Sequence, residues 1–235
     1  MLELRRVFKP NDPAIASFGA LQNRTYFEPD MLIPAQYIGQ MLGQSQRNVL
    51  LVLENAEKVV AGTVFHYLAK TNVGFSSYMA VDQDFRGQGL ARRLHLARFE
   101  TLEEIAGEKV MGLFIDVVNP SRLSSTEIDL EHSVGSDPSI RLKAFSSLGF
   151  KRVNVRYEQP VGGENGGAVT NMDLLFCPRD TADSIATSLV VETMRTYWTG
   201  WLNTKIVSSA SGDLETRAGG ERIQLLRLEI PGSRE

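Results

Sequence analysis

The chain has 235 residues and a mass of 26.1 kDa, with 43% hydrophobic and 23% charged residues, enough apolar material for a sizeable core and too much for a globally disordered chain. Lys and Arg number 25 against 28 Asp and Glu, so the balance of −3 demands no broad cationic face for nucleic acid or anionic lipid, and a small-molecule partner is expected. No apolar run reaches the roughly 18 to 20 residues that cross a bilayer, and Met1–Arg6 carries no hydrophobic leader, so a cytoplasmic protein without a membrane partner is expected.

Leu2–Phe8 alternates like a strand at its start, and Pro10, Asp12 and Pro13 supply stop and helix-start chemistry. Ile15, Phe18, Leu21 and Gln22 recur at helical spacing. A second set, Tyr37, Ile38, Met41 and Leu42, follows Pro34, and Arg24–Pro34 reads as the linker between two helices. Asn48–Glu54 and Val59–Leu68 are β-rich runs whose polar separator is short enough for a hairpin. A third strand ends at Phe75–Val81. After Gly87 and Gly89 the period changes, because Leu90, Leu94, Ala97, Leu102 and Ile105 fit one helical face that Gly107 closes. Val110–Val118 is the next apolar strand. Strand, glycine turn, helix and strand in that order form a crossover unit in a mixed sheet.

Ser121–Ser136 is long for a connection and carries Glu127, Asp129, Glu131 and His132; a functional lid and a disordered excursion are both open readings. Asp137 as N-cap and Pro138 at the first position open a short helix ending at Gly149, with Ile140, Ala144, Phe145 and Leu148 facing inward. Val153, Val155 and Tyr157 then alternate along a strand, and Val169–Phe176 returns across a glycine-rich loop as a second hairpin. Cys177, the single cysteine, excludes an internal disulfide and reads as a packed thiol at a strand end. From Asp180 an amphipathic helix carries Ile185, Leu189, Val190, Met194, Tyr197 and Trp201. Ser208–Gly220 is too small and polar to pack, and Ile223–Ile230 forms a last strand. His66, His95 and His132 match no metal-ligand spacing, so no metal is expected.

The chemistry concentrates at Val81-Asp82-Gln83-Asp84-Phe85-Arg86-Gly87-Gln88-Gly89-Leu90-Ala91-Arg92-Arg93, which ends a strand and opens a helix. Glycines let a backbone approach a ligand closely, and the unpaired N–H groups of a first helical turn, with a partial charge of roughly +0.5, suit a phosphate. A dinucleotide fingerprint requires a third glycine where this chain has Arg92, and no Gly-x4-Gly-Lys-Ser/Thr loop occurs. NAD and ATP readings therefore lose ground.

Arg86, Gly89 and Ala91 resemble the Arg/Gln-x-x-Gly-x-Gly/Ala pyrophosphate turn of the GNAT superfamily of acyl-CoA-dependent N-acyltransferases. Met79–Phe85 looks like that family's fourth strand and its lead into the turn, and Leu148-Gly149-Phe150 like the close of its fourth helix. The resemblance covers about residues 1 to 178. It implies an α+β fold with a mostly antiparallel mixed sheet flanked by helices and splayed central strands, residues 1–178 forming the acyl-CoA-binding domain and residues 179–235 a C-terminal helix and strand extension.

By the same resemblance, backbone amides of Arg86, Gly87, Gln88, Gly89, Leu90 and Ala91 hold the CoA pyrophosphate. The edge of Met79, Ala80 and Val81 pairs with the pantetheine arm as in strand addition, and Asp116–Asn119 form the opposite wall. Arg92, Arg93 and Arg98 either meet CoA phosphates or solvate the helix. Acetyl-CoA or another acyl-CoA is the implied co-substrate, an amine on a small molecule or a peptide the acceptor, and direct attack in a ternary complex the route. An amide at Met79 or Val81 would polarise the thioester carbonyl.

The departing thiolate needs a proton. Where the family often has a tyrosine, four residues before the Gly-Phe pair, this chain has Phe145, which donates none. Tyr157 is the leading substitute and Tyr78 the next, although both also read as packed aromatics. The resemblance implies that the first linker, with Glu28 and Asp30, frames the acceptor region; read alone, the two carboxylates carry surface charge. Two readings of function follow: an N-acyltransferase, most simply an acetyltransferase, and an acyl-CoA-binding regulatory or scaffold module whose acid was lost with Phe145. Tyr197, Trp198 and Trp201 either anchor a homodimer through the C-terminal extension or cap the chain's own core.

Overall fold

Apolar alternation and turn chemistry place the first elements where the periodicity predicts. The computed structural model describes residues 2–26, 32–162 and 167–230. These residues gather into two units built from interleaved stretches: Met1–Tyr67, Ser76–Glu108 and Ser125–Asp137 in one, and Leu68–Phe75, Lys109–Ser124 and Pro138–Glu235 in the other.

In the first unit β1 (Glu3–Val7), β2 (Asn48–Asn55), β3 (Lys58–Leu68) and β4 (Val73–Val81) lie in that order. β1 runs antiparallel to β2, with Leu4 opposite Leu53 and Val7 opposite Leu50. β2 turns back into β3 through Ala56 and Glu57, whose φ angles of 48° and 67° are the left-handed pair that a two-residue hairpin requires. Asp12 caps α1 (Pro13–Thr25), accepting from the Ala14 N–H at 2.9 Å, and Arg5 bonds Asp12 at 2.8 Å and Glu54 at 2.7 Å. α2 (Ala35–Gln44) follows. Phe18 and Leu21 of α1 and Ile38 and Leu42 of α2 pack with Leu50, Val52, Val64 and Ala80 of the strands. A Cβ at Gly62 would stand 2.7 Å from the Phe18 ring, so the helix reaches the sheet this closely because that position is glycine.

The other side chains of β2, Val49, Leu51 and Leu53, are equally buried, so the second sheet face is covered as well. α3 (Leu90–Ala106) contacts β2 and is absent from the α1/α2 cluster. Leu90, Leu94, Ala97 and Leu102 are its buried stripe, and Gly107, at φ 72°, ends it with an N–H to the Glu103 carbonyl. Along β4, Ser76 meets Arg98 of α3 whereas Tyr78 joins the α1/α2 cluster, so strict strand alternation is broken between them.

In the second unit the start of β4 runs parallel to β5 (Gly112–Val118), with Gly74 opposite Leu113 and Phe75 opposite Phe114. β9 (Met172–Pro178), β6 (Lys151–Val153), β11 (Arg222–Leu226) and β10 (Ser184–Ala186) continue antiparallel from β5 in that order. The sheet is therefore mixed, as the crossover pattern predicts. α5 (Pro138–Ser147), α6 (Thr187–Thr199) and α7 (Thr204–Ala218) belong to this unit, and β7 (Gln159–Pro160) pairs with β8 (Ala168–Val169) separately.

Ser121–Ser136 is not a disordered excursion: a 3₁₀ turn at Pro120–Arg122 leads into α4 (Ser125–Ser133). On α5 the buried residues are Pro138 and Leu142, while Ile140 is 66% exposed and Ala144 is exposed. β6 ends at Val153, where the Val155 N–H turns back to the Val153 carbonyl, so Tyr157 lies beyond the strand. Ile185 belongs to β10, because the segment pairs with β11 before α6 begins. Ser208–Gly220 does pack. Asn203 caps α7 through the Ile206 N–H at 3.0 Å, Gly219 closes it at φ 67°, and Val207, Ser211 and Leu214 form a buried stripe. Its small residues permit close approach to α6, where Arg195 Nε reaches Ser211 Oγ at 3.3 Å.

Leu214 is fully buried, so Leu214→Ala is expected to lower stability by about 2–5 kcal/mol, read as a shift in the urea midpoint. A tail that does not pack would leave the midpoint where it is.

Candidate functional site

The Asp82 N–H donates to the Val60 carbonyl at 2.8 Å, and Thr63 Oγ1 donates to the Tyr78 carbonyl at 2.8 Å. Tyr78, Ala80 and Asp82 therefore aim their backbone groups at β3, and by alternation Met79 and Val81 aim theirs the other way. The sequence treats Met79, Ala80 and Val81 as one edge; the fold divides them. Ala80 is a core residue, 3% exposed, and the outward edge consists of Met79 and Val81.

Beyond β4, Asp82 accepts from the Asp84 N–H at 3.2 Å and caps a 3₁₀ turn over Gln83–Phe85. Asp82 is buried, and Arg24 at 2.7 Å and Lys58 at 3.8 Å neutralise it. Burial alone would raise its carboxyl; the Arg24 hydrogen bond and the Asp84 amide hold it below the usual carboxylate range. Arg86 Nε donates to the Val81 carbonyl at 3.2 Å, and the same guanidinium donates to the carbonyl of Gly135 beyond α4. Gly135, at φ 68°, lies against the Gln83 side chain.

Gly87 and Gly89 both have φ 76°, and a Cβ at either would meet nothing within 4 Å. The backbone demands glycine there and leaves open space above it. α3 begins at Leu90 with no side-chain cap, and its first internal bond runs from the Arg93 N–H to the Gly89 carbonyl at 3.0 Å. The N–H groups of Leu90, Ala91 and Arg92 precede that bond and have no acceptor inside the helix. Donors at the positive end of a helix beside open space are the arrangement that takes a phosphate. Leu90 is buried and anchors the turn, while Arg86, Gln88 and Arg92 are exposed.

Arg93 donates to the Leu2 carbonyl at 3.2 Å. Arg98 is corrected on both sequence readings: it is fully buried, bonded to Ser76 Oγ at 2.8 Å and His95 Nδ1 at 3.0 Å, and neither meets solvent nor reaches the turn. The other candidates divide likewise. His66 bonds Asn48 at 2.9 Å and Ser77 at 2.8 Å, and burial pushes its imidazole down to about 4, which makes it a neutral structural residue. His95 is buried, and His132 stands 3.8 Å from Asp137. Glu131 is buried on α4. Glu28 and Asp30 lie outside the described residues. Cys177 is buried, its Sγ 3.5 Å from the Leu148 carbonyl. Among the described residues no group of His, Cys, Asp and Glu has the arrangement to hold a metal ion, and no helix is long and apolar enough to cross a membrane.

In the second unit Tyr157 is fully buried and its hydroxyl donates to Asp116 Oδ2 at 2.9 Å. Its ring stacks on Trp198 with centroids 6.5 Å apart. Burial pushes the half-buried Asp116 carboxyl up to about 6, against the pull of the Tyr157 hydrogen bond. Burial, then the neighbouring Asp116 charge, lifts the phenol well above its ordinary value. The pair is thus a neutral phenol and a carboxyl poised to change state near neutrality. Of the predicted wall Asp116–Asn119, Asn119 bonds Asp173 at 2.7 Å, and Asp173 also takes Arg122 at 2.8 Å. Phe145 packs edge-on against Phe150.

Sequence reasoning missed Tyr26, placed in the linker, whose hydroxyl donates to the Met79 carbonyl at 2.8 Å. It also missed the Arg24–Asp82 pair, and it gave Asp116 a place in the slot wall without its bond to Tyr157. No local signal marked them, since each acts through a partner remote in sequence.

The sequence profile described as "Acetyltransferase (GNAT) family" matches residues 7–124. No curated protein matches the chain. Among solved structures the fold is similar to that of the ribosomal-protein-S18-alanine N-acetyltransferase from Escherichia coli, at 18% identity and TM-score 0.51 over 77% of this chain and 96% of that one. It is similar also to a GNAT-family protein from Bacteroides thetaiotaomicron, at 13% identity and TM-score 0.53 over 77% of this chain and 89% of that one.

The Asp116 carboxyl titrates near 6 in the fold and near 4 when unfolded, so the folded state holds its proton more tightly between those values. Its contribution to stability is present below about pH 4, is lost as pH rises to about 6, and is flat above. Urea midpoints from pH 4 to 7 are expected to show this downward component in the parent chain and not in Asp116→Asn, and Tyr157→Phe should move it to higher pH.

Proposed function

Since the chain belongs to the GNAT acetyltransferase family, we propose that it is an acyl-CoA-dependent N-acetyltransferase that carries an acetyl group from acetyl-CoA to an amine by direct attack in a ternary complex. The observation that carries this reading is the turn of Gly87 and Gly89, both left-handed with open space above them, at the uncapped start of α3. In the proposal the amides from Arg86 to Arg92 take the pyrophosphate, and the outward amides of Met79 and Val81 take carbonyls of the pantetheine arm and thioester. Residues 1–178 are assigned to acyl-CoA binding. Residues 179–235 are an extension, and Trp201, 46% exposed, is the ring open to a second copy.

The proton for the thiolate is assigned to Tyr157, whose high pKa keeps it protonated and whose hydroxyl is oriented by Asp116. Tyr78 is the weaker candidate, because its ring packs against the α1/α2 cluster and lies edge-on to Tyr26. Phe145 in the family's usual acid position supports a second reading, a module that binds acyl-CoA without turnover. The acceptor is an amine of a small molecule or a peptide.

Calorimetry with CoA tests the binding half. Gly89→Ala is expected to cost about 1–2 kcal/mol of stability from its left-handed backbone and to weaken CoA by at least about tenfold, because its methyl enters the space assigned to the phosphates. Binding unchanged by this substitution, or absent from the parent chain, would overturn the reading. Thiol release from acetyl-CoA with an amine panel separates the two functions: for the enzyme, Tyr157→Phe should lower kcat about 100-fold with CoA affinity retained, and the binding module would release no thiol in either form.

A further inference from the structure

An exposed strand edge ordinarily presents N–H and C=O groups in turn, and so accepts another extended chain. The outward edge of β4 is different at its end. Its Met79 carbonyl already accepts from Tyr26 Oη at 2.8 Å, and its Val81 carbonyl from Arg86 Nε at 3.2 Å. The outward amides of Met79 and Val81 lie about 6.8 Å apart at a rise of about 3.4 Å per residue.

From this we propose that Tyr26 is a positioning residue for the acyl group: by holding the Met79 carbonyl it makes the end of β4 a row of donors that accepts successive carbonyls of a thioester arm. The inference rests on the acyl-CoA reading above. A peptide strand matches such a row poorly, because its own N–H groups find the acceptors taken. The thioester end of an acyl-CoA matches it better, since the thioester carbonyl accepts a hydrogen bond and that group carries no N–H in need of an acceptor. Tyr26 is fixed for this role. Its N–H bonds the Gln22 carbonyl at 3.1 Å, Arg24 two residues earlier is tied to buried Asp82 at 2.7 Å, and its ring meets Tyr78 edge-on at 6.2 Å. A donor held in place loses little entropy when the guest arrives. With the phenol gone, the Met79 carbonyl would take an N–H of the arm or repel the thioester oxygen, and the acyl group would lose its register.

Acetyl-CoA labelled with carbon-13 at the thioester carbonyl reads this without an acceptor amine. Bound to the parent chain, the carbonyl resonance should move downfield, as hydrogen bonding polarises it. Tyr26→Phe, which keeps the ring contact with Tyr78, should bind CoA by calorimetry with nearly the parent affinity and lose most of that displacement. Arg24→Gln, which loosens the end of α1 but leaves the phenol, should lose part of it. A parent-like displacement in Tyr26→Phe overturns the inference and leaves the acyl-CoA reading intact, as does a lowered melting temperature with the displacement unchanged, the mark of a structural role. Failure of acetyl-CoA to bind the parent chain overturns both.

Discussion

Gly87 and Gly89 hold the same left-handed φ on either side of Gln88, and the next residue starts a helix with no side chain across its first amides. That backbone constraint organises the first unit. A side chain in the cap position would satisfy the amides from within, and a non-glycine residue would strain the turn. The chain uses neither, and it anchors the turn from both flanks. Asp82 fixes its entry through Arg24 and the Asp84 amide, and Leu90 fixes its exit by burial.

A second principle recurs along β4: polar side chains from remote segments hold its backbone and its caps. Tyr26 and Arg24 come from the end of α1, and Thr63 comes from β3. Each bond is modest against water, and together they fix the direction of groups that a packed apolar core leaves undirected. The stretch after α4, between β5 and α5, contributes the Gly135 carbonyl to the turn's own arginine.

The Asp116–Tyr157 pair shows how burial converts ordinary residues into a proton-handling group. Neither side chain is unusual by type. Removed from water and 2.9 Å apart, the carboxyl moves toward neutrality and the phenol becomes harder to ionise, because desolvation penalises the charged form of both. Phe145 offers no proton, and the buried Tyr157 phenol lies twelve residues further on.

The amino-acid sequence by itself determined whatever depends on neighbours in the chain. Strand and helix periods placed β1 to β5 and α1 to α3 closely, and Gly87, Gly89 and the arginine before them marked the turn, since φ preference and capping are local properties. Ser208–Gly220 was misread because small residues give no hydrophobic period, although Asn203 and Gly219 supply both caps and α6 supplies the surface that makes α7 fold. Only the tertiary structure decided which face of β4 Ala80 joins, that Tyr26 reaches Met79, that Arg98 is buried, and that Tyr157 meets Asp116 from 41 residues away. Those contacts depend on where distant segments arrive in space, and no pattern within a short window encodes that.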